Sequence, residues 1–354
     1  MKIQSSKILK GGNLMKTSNI RKGESLMKNR IAKTIPIALA LVLLLPLATG
    51  CPPPQPVEPD AGFVHLTSGG GFDEAMTSFI RERFGEPPVP FTVTPGSGAL
   101  RDYMRIALAR GSIERGTLFS YNHREVHRQF EAARPLIAEF PGRYPVRREL
   151  APLADPRGEL HVVWVDAYVI IYNPGLIARA DVPSTMEALA HFDQPIGVPT
   201  TGCIGTWGTM ALLYHLGEEN FARLMANAKV RGSMTDVTVA VRDRTVPVGI
   251  STLLDVRVRD GEVGVIWPEE GAIAKPALVV IPNNPTQHNL RLADIIMSPE
   301  GARLFATQFN MASALPGGPV PAIVKENNFR FVFIPAQTII DLELEAKVDR
   351  IIAR

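Results

Sequence analysis

One of the densest strand-like apolar runs beyond the N-terminal region is residues 164–174, WVDAYVIIYNP. β-Branched and aromatic residues dominate it, and Asn173, Pro174 and Gly175 end it abruptly, the pattern of a buried strand. Strand–loop–helix units flank it, one set over residues 63–158 and another over 183–305. In the first set, 63–67, 91–94 and 117–120 read as strands. Each runs into a small-residue loop that opens a helix: Ser68, Gly69 and Gly70 before a cap at Asp73, Ser97 and Gly98 with Ser97 as N-cap, and Ser120 before Tyr121-Asn122. In the second set a helix starts near Pro183, a short strand spans 196–199, and Thr200 and Thr201 lead a glycine–threonine loop into an apolar helix. A polar helix over 218–229 and strands at 246–250, 263–267 and 277–281 complete it. The pattern fits a strand crossing between two α/β lobes, and equally the central strand of one large domain.

Composition is ordinary for a globular protein, with 45% hydrophobic and 21% charged residues among 354. The front end is different. Of the 38 Lys and Arg and 35 Asp and Glu, nine bases and one acid lie in the first fifty residues, so the rest carries a net charge of about −5. The basicity belongs to the leader and gives no support for nucleic-acid binding. An apolar run over 35–47 is too short to span a bilayer but has the length of a signal-peptide core. It closes on Leu47, Ala48, Thr49, Gly50 and Cys51, which resembles a bacterial lipoprotein signal with Cys51 as the lipidated residue. Residues 1–50 are therefore expected to be a lipoprotein signal peptide, and 51–62 a proline-rich tether in extended polyproline II form. With Cys51 carrying lipid, Cys203 has no intramolecular disulfide partner.

The order GSGAL (96–100), YNPGL, VPSTMEAL, PEEGAI and IPNNPTQHNLRLADIIMSPEGARLFA resembles the bacterial extracellular solute-binding proteins of ABC importers. The likeness runs from Phe63 to about Asn310 and is greatest for the branch with ferric-iron, aminoethylphosphonate and thiamine binders, relatives of the molybdate and tungstate binders. It implies a fold of class α/β, a two-lobed periplasmic-binding-protein-like fold (type II) with lobes joined by crossover strands. The corresponding boundaries are 63–165 for lobe 1, 166–310 mainly for lobe 2, and 311–354 for a C-terminal segment packing back on the lobes. It also implies a small-molecule ligand, an ABC importer permease as partner, a membrane contact through the lipid anchor, a monomer in the cell envelope, and neither enzyme activity nor cofactor. A sensor module signalling to a membrane partner remains an alternative.

Iron-binding members commonly carry adjacent tyrosines in the second lobe, and this chain has no such pair among its six tyrosines. GSGAL is similar to the molybdate-binder signature, where a serine hydroxyl and helix N-terminal amides hold an oxyanion. The ligand expected is thus an oxyanion or an organic anion such as a phosphonate. Its expected contacts are Ser68, Gly69, Gly70, Ser97, Gly98 and Ser120 from the first lobe, and Thr200, Thr201 and Ser251 from the second. Glu270, beside Glu269, is the candidate for a cationic ligand amine, and ferric iron or a polyamine is the alternative ligand. His123 and His127 share a helical face but lack a third ligand nearby, so no metal site is expected.

Overall fold

The computed structural model describes residues 62–66, 72–84, 91–95, 97–113, 117–121, 124–258 and 263–354. These all lie in one compact unit, Glu58–Arg354. Cys51, the 51–62 tether up to Ala61, Ser68 to Gly70 and His123 lie outside the described residues.

The chain opens with β1 (Gly62–Leu66), α1 (Phe72–Phe84), β2 (Phe91–Pro95), α2 (Ser97–Arg110), β3 (Thr117–Tyr121) and α3 (Arg124–Ala133). The long strand β4 (Leu160–Tyr172) follows, then α4 (Met186–Ala190), β5 (Ile196–Pro199), α5 (Gly202–Asn227), β6 (Ala228–Gly232), α6 (Met234–Arg242), β7 (Val248–Thr252) and α7 (Leu253–Val258). After β8 (Gly264–Ile266) and β9 (Ala272–Val280) come α8 (Gln287–Ile296), α9 (Pro299–Phe309), β10 (Ala312–Ser313), α10 (Ala322–Glu326), β11 (Phe331–Val332), α11 (Ala336–Ile340) and α12 (Leu342–Ile352).

The strands form one sheet in the order β2-β1-β3-β9-β4-β7-β5-β6, with β8 and β10 also on β4 and β11 on β9. All thirteen residues of β4 are buried, as its apolar sequence requires. Its partner β9 runs antiparallel to it from Leu160↔Val280 to Tyr168↔Ile273. Two strands therefore cross the molecule. The second begins at Ala272, five residues before the strand expected at 277–281, because Lys275 and Pro276 interrupt its apolar pattern. A register shift between Val162 and Trp164 puts Val163 and Trp164 into one core, against Met76 and Phe79 of α1. Trp164 stacks on Phe305 of α9 with ring centroids 4.0 Å apart.

Chain order and packing part company after β9. Leu292 and Phe305 of α8 and α9 share the core of α1, although the expected boundary placed residues up to 310 mainly in the second lobe. The other face of this half holds Met104 of α2 and Phe130 of α3 over Leu160, Val162 and Leu278. In the second half, Tyr168, Ile170 and Tyr172 face α4, α5 and α12, while Ala167, Val169 and Ile171 face α6. Period-two alternation along β4 thus serves helices on both sides.

The expected break near residue 218 falls at Gly217, whose φ 75° and ψ 169° are not helical, so α5 is two helices that meet at a kink, the second running to Asn227. Gly208 is needed for close approach instead. A Cβ there would stand 2.5 Å from the Tyr168 ring, so glycine lets the helix lie directly on β4. The neighbouring Trp207 stacks on that ring at 5.6 Å. Capping boxes at Ser233–Asp236 and Thr286–Asn289 fix the starts of α6 and α8, and Ser298 caps α9 ahead of Pro299.

Candidate solute-binding site

Strand direction picks out a candidate site. β1, β2 and β3 are mutually parallel, and β3 ends at Tyr121, opposite Leu278, which itself pairs with Val162. β7 and β5 run the other way, and β7 ends at Thr252, opposite Tyr168. The carboxyl ends of both strand sets therefore converge on the section of β4 between Val162 and Tyr168. In open α/β sheets ligands bind at such carboxyl edges.

From the second half, the edge begins with β5. Ile196 and Val198 point to the α5 side, so alternation puts the nearly buried Thr200 on that side too. The amides of Thr200 and Thr201 both donate to Gly232 O, at 2.8 and 3.0 Å, which pins the loop to the end of β6. Thr201 is the exposed N-cap of α5, in extended conformation, and its side chain caps no amide. The first-turn amides after it have no intrahelical acceptor, and no acidic residue stands in that turn. A Cβ on Gly205 would come within 3.2 Å of the Thr200 backbone, so this turn is packed tightly onto the loop. The result is a fixed positive helix end at the sheet edge.

On β7, one residue decides which hydroxyl reaches this side. Ser251, expected to touch ligand, is fully buried on the opposite face, where its Oγ lies 2.7 Å from Thr238 Oγ1 of α6. Thr252 is on the α5 side and accepts the Asp255 amide at the start of α7. Glu270 is not brought to the edge either. Its Oε1 accepts the Met186 amide at 2.6 Å and lies 3.5 Å from His215 Nε2. His215 is far along α5, roughly 20 Å from its start at 1.5 Å per residue. Burial pushes the Glu270 carboxyl up, but His215 and the Met186 amide outweigh it and hold the group below its usual range.

From the first half, Ser97 and Gly98 open α2 at the carboxyl end of β2. Ser97 is the first helical residue rather than the residue before it. Ser120 lies within β3, paired with Val279, one position before the edge.

The floor carries two charges that sequence patterning passes over. Asp166 on β4 and Lys275 on β9 are opposite in register, and both are almost completely buried. Asp166 Oδ1 accepts the Ala167 amide at 2.8 Å and the Leu254 amide of α7 at 3.2 Å. Its Oδ2 is buried and accepts no hydrogen bond from the described residues. Burial raises the Asp166 carboxyl above its usual range, against the opposing pull of Lys275, the two amides and the nearby Thr252 hydroxyl. Alternation of charge with aromatic residues in WVDAY is the one sequence signal for this position. Among the described residues, no group of His, Cys, Asp and Glu is arranged to hold a metal ion.

The chain shares its fold with solved solute receptors. Iron-bound HitA from Pseudomonas aeruginosa superposes with a TM-score of 0.67 at 14% identity, covering 83% of this chain and 99% of that one. Apo ferric ion-binding protein A from Pasteurella haemolytica gives 0.65 at 14%, covering 83% and 98%. FutA (IdiA) of Trichodesmium, in complex with iron and citrate, gives 0.62 at 15%, covering 82% and 98%. These two-lobed type II architectures match the paired crossover strands described above. No match is found among curated protein sequences. Residues 119–333 match the family described as bacterial extracellular solute-binding protein, and with that match extending over more than half of its length the chain belongs to this family.

Proposed function

We propose that this protein captures a small anionic solute, an oxyanion or an organic anion such as a phosphonate, and hands it to an ABC importer permease. The observation that carries the reading is the start of α5. It is a long helix ending at the carboxyl edge with Thr200 and Thr201 before it, no side-chain cap and no acid in its first turn. Such an end solvates an anion through amides and hydroxyls without a full countercharge. Ser97 and Gly98 present the same chemistry at the start of α2. Cys51 tethers the protein to the membrane through lipid, and the proline-rich stretch after it holds the folded body clear of the surface.

Ferric iron is the second reading, favoured by what the fold neighbours are named as binding. Against it stands the scatter of the six tyrosines. Tyr168 and Tyr172 are buried in β4, Tyr144 donates to Asp294, and Tyr214 is exposed in the middle of α5. Tyr103 lies within α2, and Tyr121 alone ends a strand at the edge, with no second tyrosine beside it in sequence. A thermal-shift screen of the processed protein against oxyanions, phosphonates, carboxylates, polyamines and ferric citrate decides between them. Anions are expected to stabilise, and Ser97→Ala and Thr201→Ala each to weaken their binding by about 1–3 kcal/mol. Stabilisation by iron or polyamines alone overturns the reading. Mass spectrometry of the membrane fraction tests the anchor, since Cys51 should carry acyl chains.

A further inference from the structure

Burying a charged pair inside an otherwise apolar crossover needs a reason, because the desolvation cost rivals the attraction between the charges. One reason is structural: opposed charges fix the register of β4 against β9. That accounts for Lys275 and for one oxygen of Asp166, but leaves the other oxygen, near the Thr252 hydroxyl, buried without a hydrogen bond from the described residues. A buried acceptor without a donor is costly, and in a binding protein one that lies at the edge where strand ends converge is a candidate contact for ligand.

Its position supports this. Asp166 lies where the strand carboxyl ends converge. It is on the α5 side of the sheet, with Tyr168 next on that side, and its carboxylate contacts the amide two residues beyond the end of β7. Along the flank of β4 shared by β10 and β7, described pairing stops at Val165 and resumes at Tyr168. β5 pairs with β7 in parallel at Ile196↔Val248 and Gly197↔Gly249, and that register, carried on past the end of β5, brings Thr200 level with Thr252. From β4 across β7 to β5 is two strand spacings, about 10 Å. The distance from the acceptor at Asp166 to the helix end at Thr200–Thr201 is thus within the length of a small molecule.

We infer that Asp166 is a ligand-binding residue and that the solute carries a hydrogen-bond donor, an ammonium or other N–H group, beside its anionic group. The anionic end lies at the start of α5 and the donor meets Asp166 Oδ2. Lys275 balances the Asp166 charge in the empty protein and holds the carboxylate in place. The anionic half of this inference rests on the function proposed above, while the donor half stands on Asp166.

Matched probes separate the two halves. Calorimetric titration compares acetate with glycine, and methylphosphonate with aminomethylphosphonate, on the wild-type protein and on Asp166→Asn. The amino member of at least one pair is expected to bind tenfold or more tightly to wild type. In Asp166→Asn, which keeps the side-chain shape but removes the charge, the ratio should fall to about one. Asp166→Glu, which displaces the oxygen by one methylene, should also reduce it, and the wild-type ratio decides alone if neither variant folds. Equal affinity within both pairs for wild type, or a ratio that survives in folded Asp166→Asn, overturns the role of Asp166 and leaves the anion reading standing. Failure of all four probes to bind overturns both.

Discussion

Asp166 and Glu270 are two carboxylates in the same half-spent condition. Each gives one oxygen to a backbone amide at the start of a helix, each has a cationic or basic neighbour, and each leaves its other oxygen buried without a hydrogen bond from the described residues. Their surroundings differ. Glu270 closes a turn against His215 and the start of α4, far along α5, whereas Asp166 lies under the edge where both sets of strands end. Burial wins at Asp166 and raises its carboxyl, while neighbours win at Glu270 and lower it. An unfilled acceptor becomes a candidate for ligand only when the topology brings other strand ends to it.

The largest effect that tests this contrast is on stability at the crossover. Asp166→Leu leaves the Lys275 charge buried opposite a hydrocarbon and should cost about 3–5 kcal/mol in denaturant unfolding. Adding Lys275→Leu should restore most of it, and a double variant as unstable as the single one would show that the two charges are not coupled. Next comes Glu270→Gln, expected to cost about 1–2 kcal/mol at neutral pH through its bonds to α4 and His215. A depressed carboxyl stabilises above its ordinary range and loses that contribution as pH falls through its folded value. The gap between wild type and Glu270→Gln should therefore close in acid, with solute affinity unchanged throughout. Smallest is Ser251→Ala, about 1 kcal/mol from the Thr238 contact. Affinity measured beside it should not move, and a tenfold loss would return Ser251 to the site.

Much of the framework is legible because it is written in local periodicity. The strand at 196–199 emerges at those residues, β4 needs only four more at its start, and the loops opening α2 and α5 fall where small residues cluster. What stays hidden depends on neighbours. β6, with the sequence AKVRG, has polar positions over an edge strand and shows no apolar run. The first part of β9 hides behind Lys275 and Pro276, so the second crossing strand is obscure although the first is plain. Ser251 and Thr252 offer the same hydroxyl in sequence, and only the pairing of β7 with β4 says which one faces α5. Asp166 reads as one polar residue in a strand until its opposite number on β9 is known.

The stretch beyond residue 330 has a consequence for how the protein is made. Phe331 and Phe333 pack against the core of α2 and α3, while Ile334, Ile339, Val348 and Ile351 belong to the core of α4 and α5. Arg128 of α3 pairs with Glu345 of α12, and Arg231 of β6 donates to Ile352 O, so the same stretch reaches across both halves. Neither hydrophobic interior is complete while only its N-terminal contributors have been synthesised. A ribosome extending this chain would hold two unfinished cores until its last helices appeared. In a family described as extracellular, an interior that closes late is compatible with export ahead of folding.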